Sequence, residues 1–98
     1  MLFQIDYRVF ETNRGDALRA FGGFTQEQLE SLLADHGVAL VGRWHSLGDG
    51  TGTMIVETDD FNKCSQFQLA WAEVCDTTVK PVMTDVPLRE AIQEHFLQ

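Results

Sequence analysis

Arg43 and His45 are the residues best suited to chemistry in this 98-residue chain, and they stand one residue apart in the run Gly42-Arg43-Trp44-His45. A histidine near carboxylates can act as a general acid or base around neutral pH. A planar guanidinium can bind a ligand carboxylate. His45 is therefore the candidate catalytic residue and Arg43 a candidate ligand-binding residue. The structural alternatives are a histidine hydrogen-bonded to a carboxylate across a subunit interface and an arginine in a cross-strand ion pair.

If both residues belong to a β-strand, their side chains point to the same face, because alternate residues of a strand share a face. We expect that face to be the one not covered by helices, so that a cavity-lining set forms around His45. The candidate ligand-binding residues on this face are Arg43, Asp6, Gln4 and Glu57. The same alternation turns Trp44 to the opposite side, toward the core or the rim of the sheet.

The other motifs indicate no further chemistry. The three histidines and two cysteines lack the paired spacings of metal sites, so neither a metal nor a cofactor is predicted. The segment from Gly48 to Gly52 opens into a strand and lacks the Gly-Lys-Ser/Thr ending of a phosphate-binding loop, which makes it a hairpin turn. A helix running through Cys64 and Cys75 would separate them by about 16 Å, too far for a disulfide. Two buried free thiols suit a reducing cytosol.

Period-two and helical patterns predict the elements that position these residues. The predicted strands are Leu2 to Val9, Val38 to His45, Thr53 to Thr58 and Thr77 to Met83, where Pro81 favours a sheet edge. A short helical piece from about Asp16 to Phe21 precedes Gly22-Gly23. A second helix begins with a capping box of Thr25 and Gln28 and stops at Gly37. Asp59 and Asp60 cap a helix from about Phe61 to Val74, and Asp85 caps a last helix with Leu88, Ile92 and Phe96 on one side.

The order of the predicted strands and helices along the chain is that of an α+β fold. We expect a ferredoxin-like βαββαβ sandwich with an added C-terminal helix, as a single domain over residues 1–98. The first and third strands should be central and both main helices should cover one face. The other face mixes Ala39, Val41 and Ile55 with charges. It is too apolar for water and too polar for a core, which suggests a partly enclosed cavity at a dimer interface.

Several runs resemble a family of small bacterial domains of unknown function: Gly42-Arg43-Trp44-His45, the Gly-rich turn, and Ile55-Val56-Glu57-Thr58-Asp59-Asp60. Trp71 and Lys80-Pro81-Val82 fit the same pattern, while the segment from Thr25 to Gly37 is longer than the pattern has. That family is assigned to the dimeric α+β barrels, in which two ferredoxin-like sheets pack face to face. The resemblance implies the fold and a homodimer, and it implies no known activity.

The charge composition disfavours two classes of binding partner. Fifteen acidic residues against seven Lys and Arg give a net charge of −8, with no cluster of cations, so neither nucleic acid nor an anionic membrane surface is expected. No run of about 18 apolar residues could span a membrane. The stretch from Met1 to Arg8 predicts a strand and not a signal peptide, which favours a cytoplasmic protein.

Two functions remain. The favoured one is a non-catalytic homodimeric module that binds a small molecule or another protein, because the sequence predicts a cavity but no matched acid–base pair. The alternative is a cofactor-free enzyme of the oxygenase, isomerase or decarboxylase type that uses His45 inside the barrel. This alternative depends on analogy between folds, and one fold supports many functions.

Overall fold

A four-stranded antiparallel sheet with helices makes up the structure, a computed structural model that describes residues 1–97. The elements in chain order are β1 (Leu2–Val9), a 3-10 turn (Glu11–Asn13), α1 (Arg14–Gly22), α2 (Gln26–Asp35), β2 (Ala39–Ser46), β3 (Thr51–Glu57), α3 (Phe61–Trp71), β4 (Cys75–Val82) and α4 (Asp85–Phe96). The strand order β2-β3-β1-β4 makes β1 and β3 central and leaves β4, which contains Pro81, at an edge. The predicted α+β, ferredoxin-like topology with an additional C-terminal helix is confirmed.

Most helix ends follow the local sequence signals. Thr25 and Gln28 form the predicted capping box at the start of α2, and Gly37 after its end has a φ of 75°. The Asp60 side chain accepts a hydrogen bond from the Asn62 N–H at the start of α3. The predicted cap at Asp85 is wrong, because the residue before it takes the N-cap position and makes no side-chain cap bond.

The hydrophobic core lies between one face of the sheet and helices α2 and α3. Central strands β1 and β3 contribute Phe3, Ile5, Met54 and Val56, while the helices contribute Leu29, Leu33 and Cys64. Each of these side chains is almost fully buried. The core residues that the sheet contributes lie on one face, and the opposite face, called the uncovered face below, contributes none of them within residues 1–97.

Helix α3 ends at Trp71, earlier than the predicted Val74. The Val74 N–H donates to the Trp71 carbonyl in a turn, and Cys75 then enters β4 opposite Val9. Cys64 and Cys75 are therefore on different elements, and the prediction of one helix through both is wrong. Both are buried free thiols.

Helix α4 contains no buried residue. Its apolar side chains Leu88, Ile92 and Phe96 are all exposed. The radius of gyration is 15.7 Å, above the roughly 13 Å of a compact domain of about 100 residues, and the longest extent is 54 Å. The apolar stripe of α4 is thus left uncovered in the single chain.

Strand β2 contains a β-bulge at Val41. Leu40 pairs with Val56, and Gly42 pairs with the adjacent Ile55, so Val41 is an extra residue without a partner on β3. A bulge of this kind shifts the alternation of side chains by one residue in the rest of the strand. Leu40, which precedes the bulge, packs against the core. After the bulge, each side chain lies on the face opposite to the one that simple alternation would give it.

The bulge reverses the faces predicted for the second half of β2. Arg43 pairs with a core residue of β3, so Arg43 and His45 point to the side of the helices. Trp44 points to the uncovered face. The prediction that Arg43 and His45 share a face with Asp6 and Glu57 is therefore wrong, because simple alternation through β2 does not allow for the inserted residue.

Candidate functional site

Arg43 lies beneath α1 against two aromatic rings. Its Cζ atom is 5.2 Å from the centroid of the Phe21 ring and 5.8 Å from that of Tyr7, within the range of cation–π attraction. The Nε atom is buried and has no hydrogen-bond partner within residues 1–97. None of the carboxylates within residues 1–97 forms an ion pair with this guanidinium. Arg43 is consequently a half-buried cation without a counter-ion in the described chain.

His45 lies next to Arg43 on the same face. Its Nδ1 atom contacts the Tyr7 hydroxyl, and its ring centroid is 4.7 Å from that of Phe21. Burial and, to a lesser extent, the positive charge of Arg43 lower the pKa of His45. A neutral imidazole with its proton on Nε2 can accept a hydrogen bond at Nδ1 from the Tyr7 hydroxyl. His45 therefore has an aromatic and phenolic environment, and not the carboxylate neighbours predicted for it.

Apart from Arg43, the shifted titratable groups in and beside this cluster are uncharged at neutral pH. Burial raises the pKa of Tyr7, although the neighbouring Arg43 opposes the effect. Burial also raises the pKa of the Cys75 thiol, which donates to the Trp71 carbonyl. Burial lowers the pKa of Arg43, but an arginine remains protonated in proteins at neutral pH. The group formed by Tyr7, Phe21, Arg43 and His45, called the Arg43 cluster below, thus has one net positive charge.

Two local features hold the aromatic residues of the Arg43 cluster in place. Gly52 lies beneath the Tyr7 ring, and a Cβ atom at this position would come closer than 3.0 Å to three of its atoms. Helix α1 is attached to the β2–β3 turn by Arg14, which donates to the Asp49 carbonyl at 3.1 Å. This attachment brings Phe21, at the far end of α1, over Arg43 and His45. The Phe21 side chain is still 48% exposed.

The uncovered face of the sheet has an open groove with a volume of about 590 Å³. The lining residues whose side chains belong to this face include Asp6, Arg8, Trp44, Thr53, Asp76 and Thr78. The Trp44 ring lies across Gly42, where a Cβ atom would be 2.6 Å from the indole. Trp44 is 59% exposed and forms an aromatic surface beside the polar groups. The groove could accept a molecule that has both polar and flat apolar parts.

Asp6 is held within this groove by its neighbours. The Gln4 Nε2 group donates to both carboxylate oxygens, at 3.0 and 3.2 Å. The Thr53 hydroxyl and then the Gln4 amide lower the pKa of Asp6, so the carboxylate is ionised at neutral pH. Glu57 lies on the same face, two residues from Ile55, the β3 partner of Gln4, and accepts a hydrogen bond from the Met1 amine at 2.8 Å. The predicted site residues therefore fall on two faces: Arg43 with His45 on the side of the helices, and Gln4, Asp6 and Glu57 on the uncovered face.

The family model for DUF3303, described as a domain of unknown function, matches residues 1–96. The chain belongs to the DUF3303 family. This confirms the predicted membership in a family of unknown function. A solved structure of a dimeric ferredoxin-like protein from an uncultured marine organism is similar at 14% identity over 86% of this chain and 95% of the other, with a TM-score of 0.40. No curated protein matches this chain.

Sequence reasoning missed two members of the Arg43 cluster in this DUF3303 domain. Tyr7 lies within the predicted first strand, but the sequence analysis does not connect it with His45. Phe21 is the last residue of the predicted short helical piece and has no predicted role at the site. The available signal was Gly42, because an isolated glycine within a strand often marks a bulge. A bulge at that point would have turned Arg43 and His45 toward Tyr7.

The described part of this DUF3303 domain offers no group of three or more His, Cys, Asp or Glu side chains arranged to hold a metal ion. Of the helices in residues 1–97, none combines the length and apolar character needed to cross a bilayer.

Proposed function

We propose that this DUF3303 domain is a homodimeric module that binds a small molecule between the uncovered sheet faces of two copies. The observation that supports this most strongly is the groove of about 590 Å³ on that face. Its volume is within the range of ligand pockets, about 300–1,000 Å³, but it is open to solvent. A second copy packed face to face would form a dimeric α+β barrel and enclose it.

The apolar residues around the groove support a second copy as the cover. Val41 is 61% exposed and Trp44 is 59% exposed, while Ile55 between them is half-buried. A two-fold axis uses the same patch on both partners, so each apolar contact would occur twice. Tryptophan residues that become buried are among the strongest contributors to protein interfaces.

The polar lining suggests the kind of small molecule. The ionised Asp6 carboxylate accepts hydrogen bonds, and the Thr53 and Thr78 hydroxyls can donate or accept them. A flat ring could stack on Trp44. We therefore propose a polar metabolite with hydrogen-bond donors and an aromatic or planar part.

The geometry does not favour the catalytic alternative. A dimer formed through the uncovered faces would leave the His45 imidazole beneath α1, in contact with Phe21 and Tyr7. His45 borders the groove, but its imidazole would lie on the helix side of the sheet. The buried free thiols of Cys64 and Cys75 support a reducing compartment such as the cytoplasm as its location.

The dimer is tested by Val41→Lys, with Leu69→Lys as a matched control. Leu69 is 76% exposed on α3, on the opposite side of the sheet, so both variants add one charge at an exposed apolar position. Like charges brought together at a two-fold interface should cost about 2 kcal/mol or more, roughly a thirtyfold increase in the dimer dissociation constant. Sedimentation equilibrium should show this increase for Val41→Lys alone. A monomeric wild-type chain, or equal weakening by both variants, would contradict the proposed interface.

The ligand is tested by native mass spectrometry of the freshly purified protein. We expect a dimer with additional mass, and loss of that mass in Trp44→Ala if the dimer persists. A dimer that has no added mass and binds no member of a metabolite library would show that the cavity is not a binding site.

A further inference from the structure

The Arg43 cluster has a cation that lacks the partner usual for a desolvated charge. Buried polar groups in proteins are nearly always hydrogen-bonded, and buried cations nearly always have an anion beside them. The Arg43 Nε meets neither condition within residues 1–97. The two rings beside it attract the guanidinium through their faces, and the Tyr7 hydroxyl is a neutral hydrogen-bond partner for it, so no anion balances its charge within residues 1–97.

We propose that the Arg43 cluster is a second binding site, for a small organic carboxylate, on the helix side of the sheet, although Tyr7 and His45 also border the groove. Guanidinium groups bind carboxylates through two parallel N–H···O bonds, which would satisfy the edge of Arg43 that has no partner. This inference does not depend on the dimer or on the ligand of the uncovered face, since Arg43 points to the other side of the sheet.

Charge favours a single carboxylate over a phosphate or a dicarboxylate. The cluster has one positive charge, because His45 is neutral near pH 7 and Tyr7 and Cys75 keep their protons. The chain as a whole has a net charge of −8, which disfavours anions of higher charge. One carboxylate balances one guanidinium.

The aromatic rings beside Arg43 indicate which group the carboxylate ligand would carry. Phe21 and His45 are both exposed at the surface beside Arg43, and their centroids are 4.7 Å apart. A planar or apolar group attached to the carboxylate would pack against them. Helix α1 buries none of its own residues and Phe21 is itself half exposed, so a shift of the Phe21 ring is the movement that we propose for opening Arg43 to a ligand. Aromatic carboxylates are therefore the expected class.

The test is a titration with benzoate, followed by the ¹⁵N–¹H signals of the arginine Nε groups and of the backbone amides. Benzamide is the neutral analogue of the same shape. We expect saturable shifts at Arg43, His45 and Phe21 with benzoate and not with benzamide. Absence of saturation at millimolar benzoate, or equal binding of benzamide, would overturn the proposal.

Variants locate the interaction. Arg43→Gln should weaken benzoate binding roughly ten- to hundredfold, the value of a charge-assisted hydrogen-bonded pair. Arg19→Gln removes the same charge from an exposed position of α1, where Arg19 pairs with Asp16, and should leave the affinity within about twofold. If Arg43→Gln does not fold, Arg43→Lys is the test variant, because lysine keeps the positive charge but lacks the planar guanidinium that binds a carboxylate through two hydrogen bonds. Unchanged affinity in Arg43→Lys would overturn the site, whereas unchanged affinity in Val41→Lys is expected.

Discussion

Gly52 lies directly beneath the Tyr7 ring, which makes Gly52→Ala a stringent test of the Arg43 cluster. The new Cβ atom would be closer than 3.0 Å to Cε1, Cζ and the hydroxyl of Tyr7, so the ring must move. Overpacking of this kind costs about 1–3 kcal/mol. Replacing a glycine within a strand returns about 0.5–1 kcal/mol through lower flexibility of the unfolded chain. We therefore expect a net loss of about 1–2 kcal/mol in the free energy of unfolding.

Urea denaturation followed by far-ultraviolet circular dichroism measures this loss. At about 4–8 °C per kcal/mol for a domain of this size, the melting temperature should fall by roughly 5–15 °C. Gly48→Ala is the matched control in the same hairpin connection, because a Cβ atom there meets nothing within 4 Å. It should change stability by less than about 0.5 kcal/mol. In a Tyr7→Ala background the sign should reverse, and Gly52→Ala should become stabilising.

Tyr7 provides an independent check, because it is the only tyrosine of the chain. Burial raises its pKa in the wild type, so displacement of the ring toward solvent by Gly52→Ala should bring the pKa back toward its ordinary value. Ultraviolet absorbance of the phenolate measures this change directly. If Gly52→Ala were as mild as Gly48→Ala and left the phenol titration unchanged, the packing of Tyr7 on Gly52 beside Arg43 and His45 would be refuted.

Two further predictions concern the core and the response to acid. Leu33→Ala should lower the free energy of unfolding in urea by about 2–5 kcal/mol, because Leu33 is buried between α2 and the sheet. Ile92→Ala, on the exposed stripe of α4, should lower it by less than about 1 kcal/mol. A similar loss in both variants would show that α4 is covered in solution. The pKa of Asp6 is lower in the folded state than its ordinary value of 3.8, so its contribution to stability is complete above that pH and is lost as the pH falls through the folded pKa. The stability difference between wild type and Asp6→Asn should therefore shrink below about pH 4, and a difference independent of pH would contradict this assignment.

Much of the architecture could be predicted from local signals. The alternation of Phe3 and Ile5 with polar residues identified a strand with one buried face, and the capping box of Thr25 and Gln28 located the start of α2. Pro81 lacks an N–H for a ladder, which placed β4 at an edge. These signals act over a few residues, so they do not depend on the packing of distant elements.

The candidate site could not be predicted to the same extent, because it depends on one insertion in β2. Regular alternation through Val41 would point Arg43 to the uncovered face. The bulge at Val41 points it to the side of the helices instead. The polarity of these residues does not distinguish the two arrangements, since Val41 and Trp44 are apolar and yet exposed, and Gly42 is the one local signal of a bulge. The pairing of β2 with β3 decides the matter, and that pairing is a property of the folded sheet. Phe21 joins the site only because α1 is attached to the hairpin turn.

The bulge also explains why the two proposed sites can be tested separately. Trp44 and Arg43 are adjacent in the chain but lie on opposite sides of the sheet. Side chains on opposite faces of a strand point away from each other. Trp44 lies over Gly42 on the uncovered face, whereas Arg43 contacts Tyr7 and Phe21. Trp44→Ala should therefore leave benzoate binding unchanged, and Arg43→Gln should leave the dimer unchanged. Cross-effects in both directions would mean that the strand is continuous without a bulge, and both proposals would then reduce to one site.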